Sequence, residues 1–114
     1  AAGLLAGKRA TSHWAYTHLL EKFGALYEKA RVVRDGNVIT AGGVTSGIDF
    51  ALTVVAEIAG QDLAESIQLS LEYDPRPPFD SGHPDIADPK LVARLRDRVY
   101  DRAASDLADI IDRL

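Results

Sequence analysis

The stretch from Val33 to Phe50 constrains the fold more than any other part of the chain. Arg31-Val32-Val33 and Asn37-Val38-Ile39-Thr40 are β-rich runs on either side of Asp35-Gly36. An Asp-Gly pair in that setting predicts a β-hairpin, because glycine accepts a positive φ without a Cβ clash. The second strand leads into the glycine-rich turn Gly42-Gly43-Val44-Thr45-Ser46-Gly47. A helix is predicted from Ser46 to Ala59, with Ile48, Ala51, Leu52, Val55 and Ala59 on one face. Ser46-Gly47-Ile48-Asp49 has the spacing of a capping box, in which Ser46 and Asp49 would satisfy free N–H groups. Strand, turn and helix in this order present backbone N–H groups at a helix start, where α/β proteins hold anions and place their chemistry.

The flanking segments extend the pattern. Ala1 to Ala6 is predicted as a short apolar helix end capped by Gly7, and Arg9 to Trp14 as a brief strand. Leu19, Leu20, Phe23 and Leu26 recur at helical spacing, with a break at Gly24. Beyond Gly60 a second helix is expected to run to about Tyr73, its start capped through Asp62 and Glu65. All five prolines lie between Pro75 and Pro89, so residues 74–88 are expected to form an extended arm. Asp88 then caps, and Pro89 begins, a final helix over residues 89–114. Leu91, Val92, Leu95 and Val99 start its apolar stripe, and Arg94, Arg98 and Arg102 lie on its outer side. Strands alternating with helices predict an α/β fold with a sheet covered on both faces. Three or four short strands are fewer than a doubly wound sheet carries. Residues 1–114 are therefore expected to be a single, partial domain with an incomplete sheet.

Charge and residue types narrow the chemistry. A net charge of −4 argues against a nucleic-acid partner. No apolar run approaches the roughly 20 residues of a membrane span. The chain has no Cys, hence no disulfide, no thiolate ligand and no thiol nucleophile, and it has no Met. Together with the glycine-rich turn at a helix start, these absences lead us to expect the back half of an α/β enzyme. The glycine-rich turn either holds an anion or oxyanion or is a capped turn without a ligand. His13 and Trp14, at the end of a predicted strand, border the crevice of an open sheet or serve as structural filling. His18 is expected to face solvent. His83, with Asp80 and Asp85, is too sparse a set to predict a metal, and none is expected. Ser46 does not stand in a Gly-x-Ser-x-Gly elbow, and Asp49 is better explained as a cap than as a catalytic carboxylate.

Three blocks resemble a known family. Ala2-Gly3-Leu4-Leu5-Ala6-Gly7-Lys8-Arg9-Ala10-Thr11-Ser12-His13-Trp14 is similar to the segment just after the nucleophilic cysteine of the ThiJ/PfpI, or glutamine amidotransferase-like, superfamily. Arg34 to Asp49 resembles its next block, and Ile67 to Pro84, with its Pro-Pro-Phe arm, looks like the isonitrile hydratase branch. The resemblance covers the C-terminal half of a full-length member. It implies a flavodoxin-like three-layer sandwich, a cytoplasmic homodimer, an isonitrile-like small-molecule substrate and no cofactor. In that branch a thiolate attacks the isonitrile carbon, an Asp assists proton transfer, and water releases an N-substituted formamide. Both of those residues would precede Ala1, so no catalytic residue is expected in this chain, which should be inactive alone. What carries over is a pocket lining of His13, Trp14, Gly43, Val44, Thr45, Ser46, Gly47 and Ile48, with the Gly47 or Ile48 N–H near the thiolate. The amidotransferase-like domain of AraC-type transcription regulators shares the first two blocks and is the alternative, as is an inactive fragment.

Overall fold

The computed structural model describes residues 2–113. Its first half is built from two small sheets. β1 (Arg9–Ala10) pairs in parallel with β2 (Leu26–Tyr27), and β3 (Val32–Asp35) pairs antiparallel with β4 (Val38–Ala41). A 3-10 helix (Thr17–Phe23) connects β1 to β2 and ends at Gly24, whose φ of 71° is left-handed. The hairpin turn falls on Gly36-Asn37, one residue later than an Asp-Gly centre implies, because Asp35 still pairs with Val38. Gly36 takes a φ of 64° there, which a Cβ would disfavour.

That shift gives Asp35 a structural role. No backbone ladder joins the two sheets; side chains do. The Arg9 N–H donates to Asp35 Oδ2 at 2.8 Å, and the Thr11 N–H donates to Thr40 Oγ1 at 2.9 Å. The Thr11 hydroxyl in turn donates to the Ala30 carbonyl at 2.9 Å. Buried backbone donors need partners wherever strand pairing stops, and Thr40 supplies one for the buried Thr11.

α1 (Ser46–Ala59) follows the hairpin and packs on β4 and on α2 (Gln61–Ser70). α1 matches its predicted span. Its cap does not: Thr45 is the N-cap, Ser46 already lies inside the helix and is buried, and no side chain caps the end. α2 likewise starts at Gly60 without a side-chain cap. Glu72, at φ 51°, turns the chain out of α2 in a conformation usually left to glycine. Residues 74–88 contain no helix or strand. Asp88 then accepts from the Lys90 N–H at 2.7 Å and Pro89 opens α3 (Pro89–Leu95). α3 continues through a π turn (Arg96–Tyr100) into α4 (Asp101–Ile111), so the final helical stretch is interrupted where an unbroken one was expected.

Several other expectations are corrected. Residues 4–7 form turns and no helix, since Gly3 and Gly7 both adopt left-handed φ; Ala1 lies outside the described residues. The strand at Arg9 stops at Ala10 instead of running to Trp14, where the chain bends away. Leu26 belongs to β2 and not to the preceding helix, which Gly24 ends.

The buried core is small and alanine-rich. Ala10, Leu20 and Ala25 form its centre, with Leu5 against it. The chain spans 43 × 37 × 17 Å, a slab. It exposes 8217 Å², where a closed globule of this mass exposes about 6,100 Å². The excess includes Ile58, Leu69, Leu71 and Phe79. These mixed elements are those of part of an α/β sandwich with an incomplete sheet.

Candidate functional site

The segment 42–46 folds back on itself and against His13 so closely that a side chain at its two leading glycines would be crowded. A Cβ on Gly42 would stand 3.2 Å from Ser46 Oγ, and one on Gly43 would stand 3.2 Å from His13 Cδ2. The Gly42 N–H bonds to the Arg31 carbonyl at 2.9 Å, which continues the hairpin beyond Ala41. Val44 then projects almost wholly into solvent. The Ser46 and Gly47 amides bond back to the Gly43 and Val44 carbonyls at 2.8 and 3.1 Å. These two N–H groups are thus engaged within the turn rather than free for an anion.

Facing the turn is the bend 11–16. His13 leaves β1 inside an aromatic group. Its ring lies 5.3 Å from Trp14, 5.6 Å from Tyr16 and 5.1 Å from Tyr100, which the π turn delivers. The Arg96 guanidinium, also from the π turn, stands 5.3 Å over the Trp14 ring. A π turn shifts side chains off the regular α register, and such turns recur at functional sites. His13 Nδ1 accepts from the Ala15 N–H at 3.3 Å, which leaves Nε2 as the protonated donor of a neutral ring. Burial lowers the His13 pKa and so favours that neutral form.

The turn and the bend bound a cleft of about 450 Å³, within the range of small-molecule sites. His13, Trp14, Gly43, Val44, Thr45 and Ser46 line it. Gly47 and Ile48 sit in the first turn of α1, exposed, and are not on its wall. Sequence reasoning missed two further walls. One is the end of β2 and the segment after it, with Tyr27, Lys29 and Arg31; the other is Gly82 and His83 of the proline-rich arm. The first was hidden because Leu26 read as helical. The second had only the presence of a histidine among loop acids to mark it. His18 is exposed, away from this cleft.

Asp49 is where the capping expectation fails most clearly. Its carboxylate accepts from Arg31 Nε at 2.5 Å and from the Tyr73 hydroxyl at 2.7 Å. A charge-assisted pair outcompetes a neutral N–H cap. Burial alone would raise the Asp49 pKa, but the hydrogen bonds from Tyr73 and Arg31 and the Arg31 charge bring it below its ordinary value. The hydrogen bond to Asp49 raises the pKa of Arg31, and likewise that of Tyr73. Among the described residues no three His, Asp or Glu side chains converge as metal ligands. No helix among them is long and apolar enough to cross a membrane.

The DJ-1/PfpI family profile matches residues 1–57, the part that holds both sheets and most of the cleft. The chain belongs to this family. It is 54% identical over 117 residues to an isonitrile hydratase of Pseudomonas putida, covering 94% of this chain and 51% of that protein. A crystal structure of a ThiJ/PfpI family protein from Pseudomonas syringae superposes with a TM-score of 0.86 at 47% identity, over 94% of this chain and 45% of that one. The HTH-type transcriptional regulator CdhR of Pseudomonas aeruginosa is 36% identical over 77 residues, covering 63% of this chain and 21% of that protein. The chain thus spans about half the length of the isonitrile hydratase it matches. The α/β fold is that of the ThiJ/PfpI structures.

Proposed function

We propose that this chain is the C-terminal part of an isonitrile hydratase-like hydro-lyase acting as a homodimer. The observation that carries the reading is the 54% identity to the isonitrile hydratase across 94% of the chain. That span includes the arm as well as the two family blocks. The net reaction adds water across R–N≡C to give R–NH–CHO. A thiolate contributed from outside these residues adds to the terminal carbon, and the nitrogen and carbon each take up a proton overall. Water then displaces the thiol and supplies the formamide oxygen.

This chain's part is to shape and polarise the cleft. The Gly43–Ser46 turn would place the start of α1, with its partial positive charge, beside the thiolate. The neutral His13 Nε2–H would donate a hydrogen bond to the forming formamide while its other nitrogen stays held by Ala15. Trp14, held against Tyr100, would shield the reacting carbon from water. No metal or organic cofactor is needed for a thiol-based hydration.

The test is formamide production from a simple alkyl isonitrile by the protein purified at its native length. Product should form in the presence of a chelator and disappear when the nucleophilic thiol is replaced. Absence of product from the native protein overturns the reading. The identity to CdhR supports a ligand-sensing role as the second reading; operator binding by the native protein would favour it.

A further inference from the structure

We propose that the proline-rich arm is the specificity wall of the cleft: Gly82 and His83 set how large a substituent the substrate carries, and the Lys29–Asp85 ion pair holds that wall in place. This rests on the isonitrile reading for the substrate but on the geometry for the wall.

Side chains tie the arm to the rest of the chain at two anchors. At its start Tyr73 donates to Asp49, which also holds Arg31. At its end Asp85 pairs with Lys29. Lys29 and Arg31 belong to the same cleft-lining segment, so Asp85 fastens the arm to that rim directly and Tyr73 does so through Asp49. Between them, among the described residues, no backbone hydrogen bond involves residues 75–82. Pro75, Pro77 and Pro78 stiffen that span, and Phe79 remains exposed. The chain knits again at His83. Its carbonyl accepts from the Ile86 and Ala87 N–H groups at 3.1 and 3.0 Å, and its Nδ1 accepts from the Asp85 N–H at 3.2 Å. One compact turn therefore carries both the wall residue and the anchoring carboxylate.

An isonitrile is linear through C≡N, so its substituent projects straight away from the reacting carbon. With that carbon at the Gly43–Ser46 turn, the substituent must fit in the space bounded by the Lys29–Arg31 rim and the arm. A Cβ on Gly82 would meet no atom within 4 Å, so this position can be enlarged without disturbing the fold. His83 already presents a ring to the cleft and can be cut back.

The experiment uses the native-length protein with methyl isonitrile and tert-butyl isonitrile, reading the ratio of kcat/KM values. His83→Ala should shift the ratio toward the bulky substrate and Gly82→Leu away from it, each by about tenfold, the scale of a steric pocket change. Lys29→Asp or Asp85→Lys alone should shift it toward the bulky substrate, and the double exchange should restore it. The same variants are read without turnover by acrylamide quenching of Trp14, the one tryptophan among these residues, with any other tryptophan of the native protein replaced by phenylalanine. Quenching should rise in His83→Ala and in each single charge reversal, and return in the double. If the native protein makes no formamide while quenching follows this order, the isonitrile reading fails and the wall stands. Unchanged quenching, or an unchanged substrate ratio in an active protein, overturns the wall.

Discussion

The link between the two sheets can be broken by one near-isosteric change. Thr40→Val deletes the oxygen that accepts the Thr11 N–H at 2.9 Å. Thr11 is only 5% exposed, so water does not replace the lost partner. An orphaned buried donor costs about 1–3 kcal/mol, and the new methyl recovers at most about 0.8 kcal/mol. With the methyl fully recovered, the net loss expected is about 0.2–2.2 kcal/mol, centred near 1 kcal/mol. Thr40→Ser retains the acceptor and removes one partly exposed methyl, worth about 0.8 kcal/mol or less. Serine should be tolerated better than valine, the reverse of the order that apolar packing or strand propensity would give. Urea unfolding of the native-length protein gives the stabilities, and amide exchange gives the cause. Thr11 should be protected in the parent and in Thr40→Ser and should exchange rapidly in Thr40→Val. A valine variant as stable as the parent, with Thr11 still protected, would refute the idea that side chains join the sheets.

Three further outcomes are expected. Asp49 has a lowered pKa, so its contribution to stability is complete above its ordinary value of 3.8 and is lost as pH falls through the folded value; protease nicking of residues 74–88 should increase in that acid range, and Asp49→Asn should show the increase already at neutral pH. His13, with its pKa lowered by burial, binds a proton more readily unfolded than folded, so stability should decline as pH falls below 6.5; nitrogen NMR showing His13 titrating above 6.5 would contradict this. Glu72 sits at φ 51°, so Glu72→Gly should stabilise by about 1 kcal/mol, since the left-handed penalty exceeds the extra chain entropy of glycine; a loss of stability in urea melts would argue against strain at that residue.

The glycine-rich wall of the cleft was legible because it is local in sequence. Gly42 to Ser46 are contiguous, and glycine spacing before an amphipathic run announces a turn. His13 and Trp14 were singled out as the end of a predicted strand, although the strand itself stops at Ala10. Gly47 and Ile48 belong to the same motif, but helix geometry carries them off the cleft wall. The outer walls were not legible. Lys29, Arg31 and His83 approach one another across an ion pair between residues 29 and 85, and no local pattern encodes that meeting.

The sequence by itself determined the elements. A Gly-centred hairpin, the span of α1, the proline arm and the Asp88-Pro89 helix start follow from φ preferences, side-chain period and capping within a few residues. Only the tertiary structure decided what polar and aromatic side chains do with their remaining valences. Asp49 turned from cap to ion-pair partner, Asp35 and Thr40 became the links between sheets, and Tyr100 reached His13 through a π turn. Dihedral preferences act over one residue and are written in the chain. Hydrogen bonds and ring contacts are won by whichever group folding brings within about 3–6 Å.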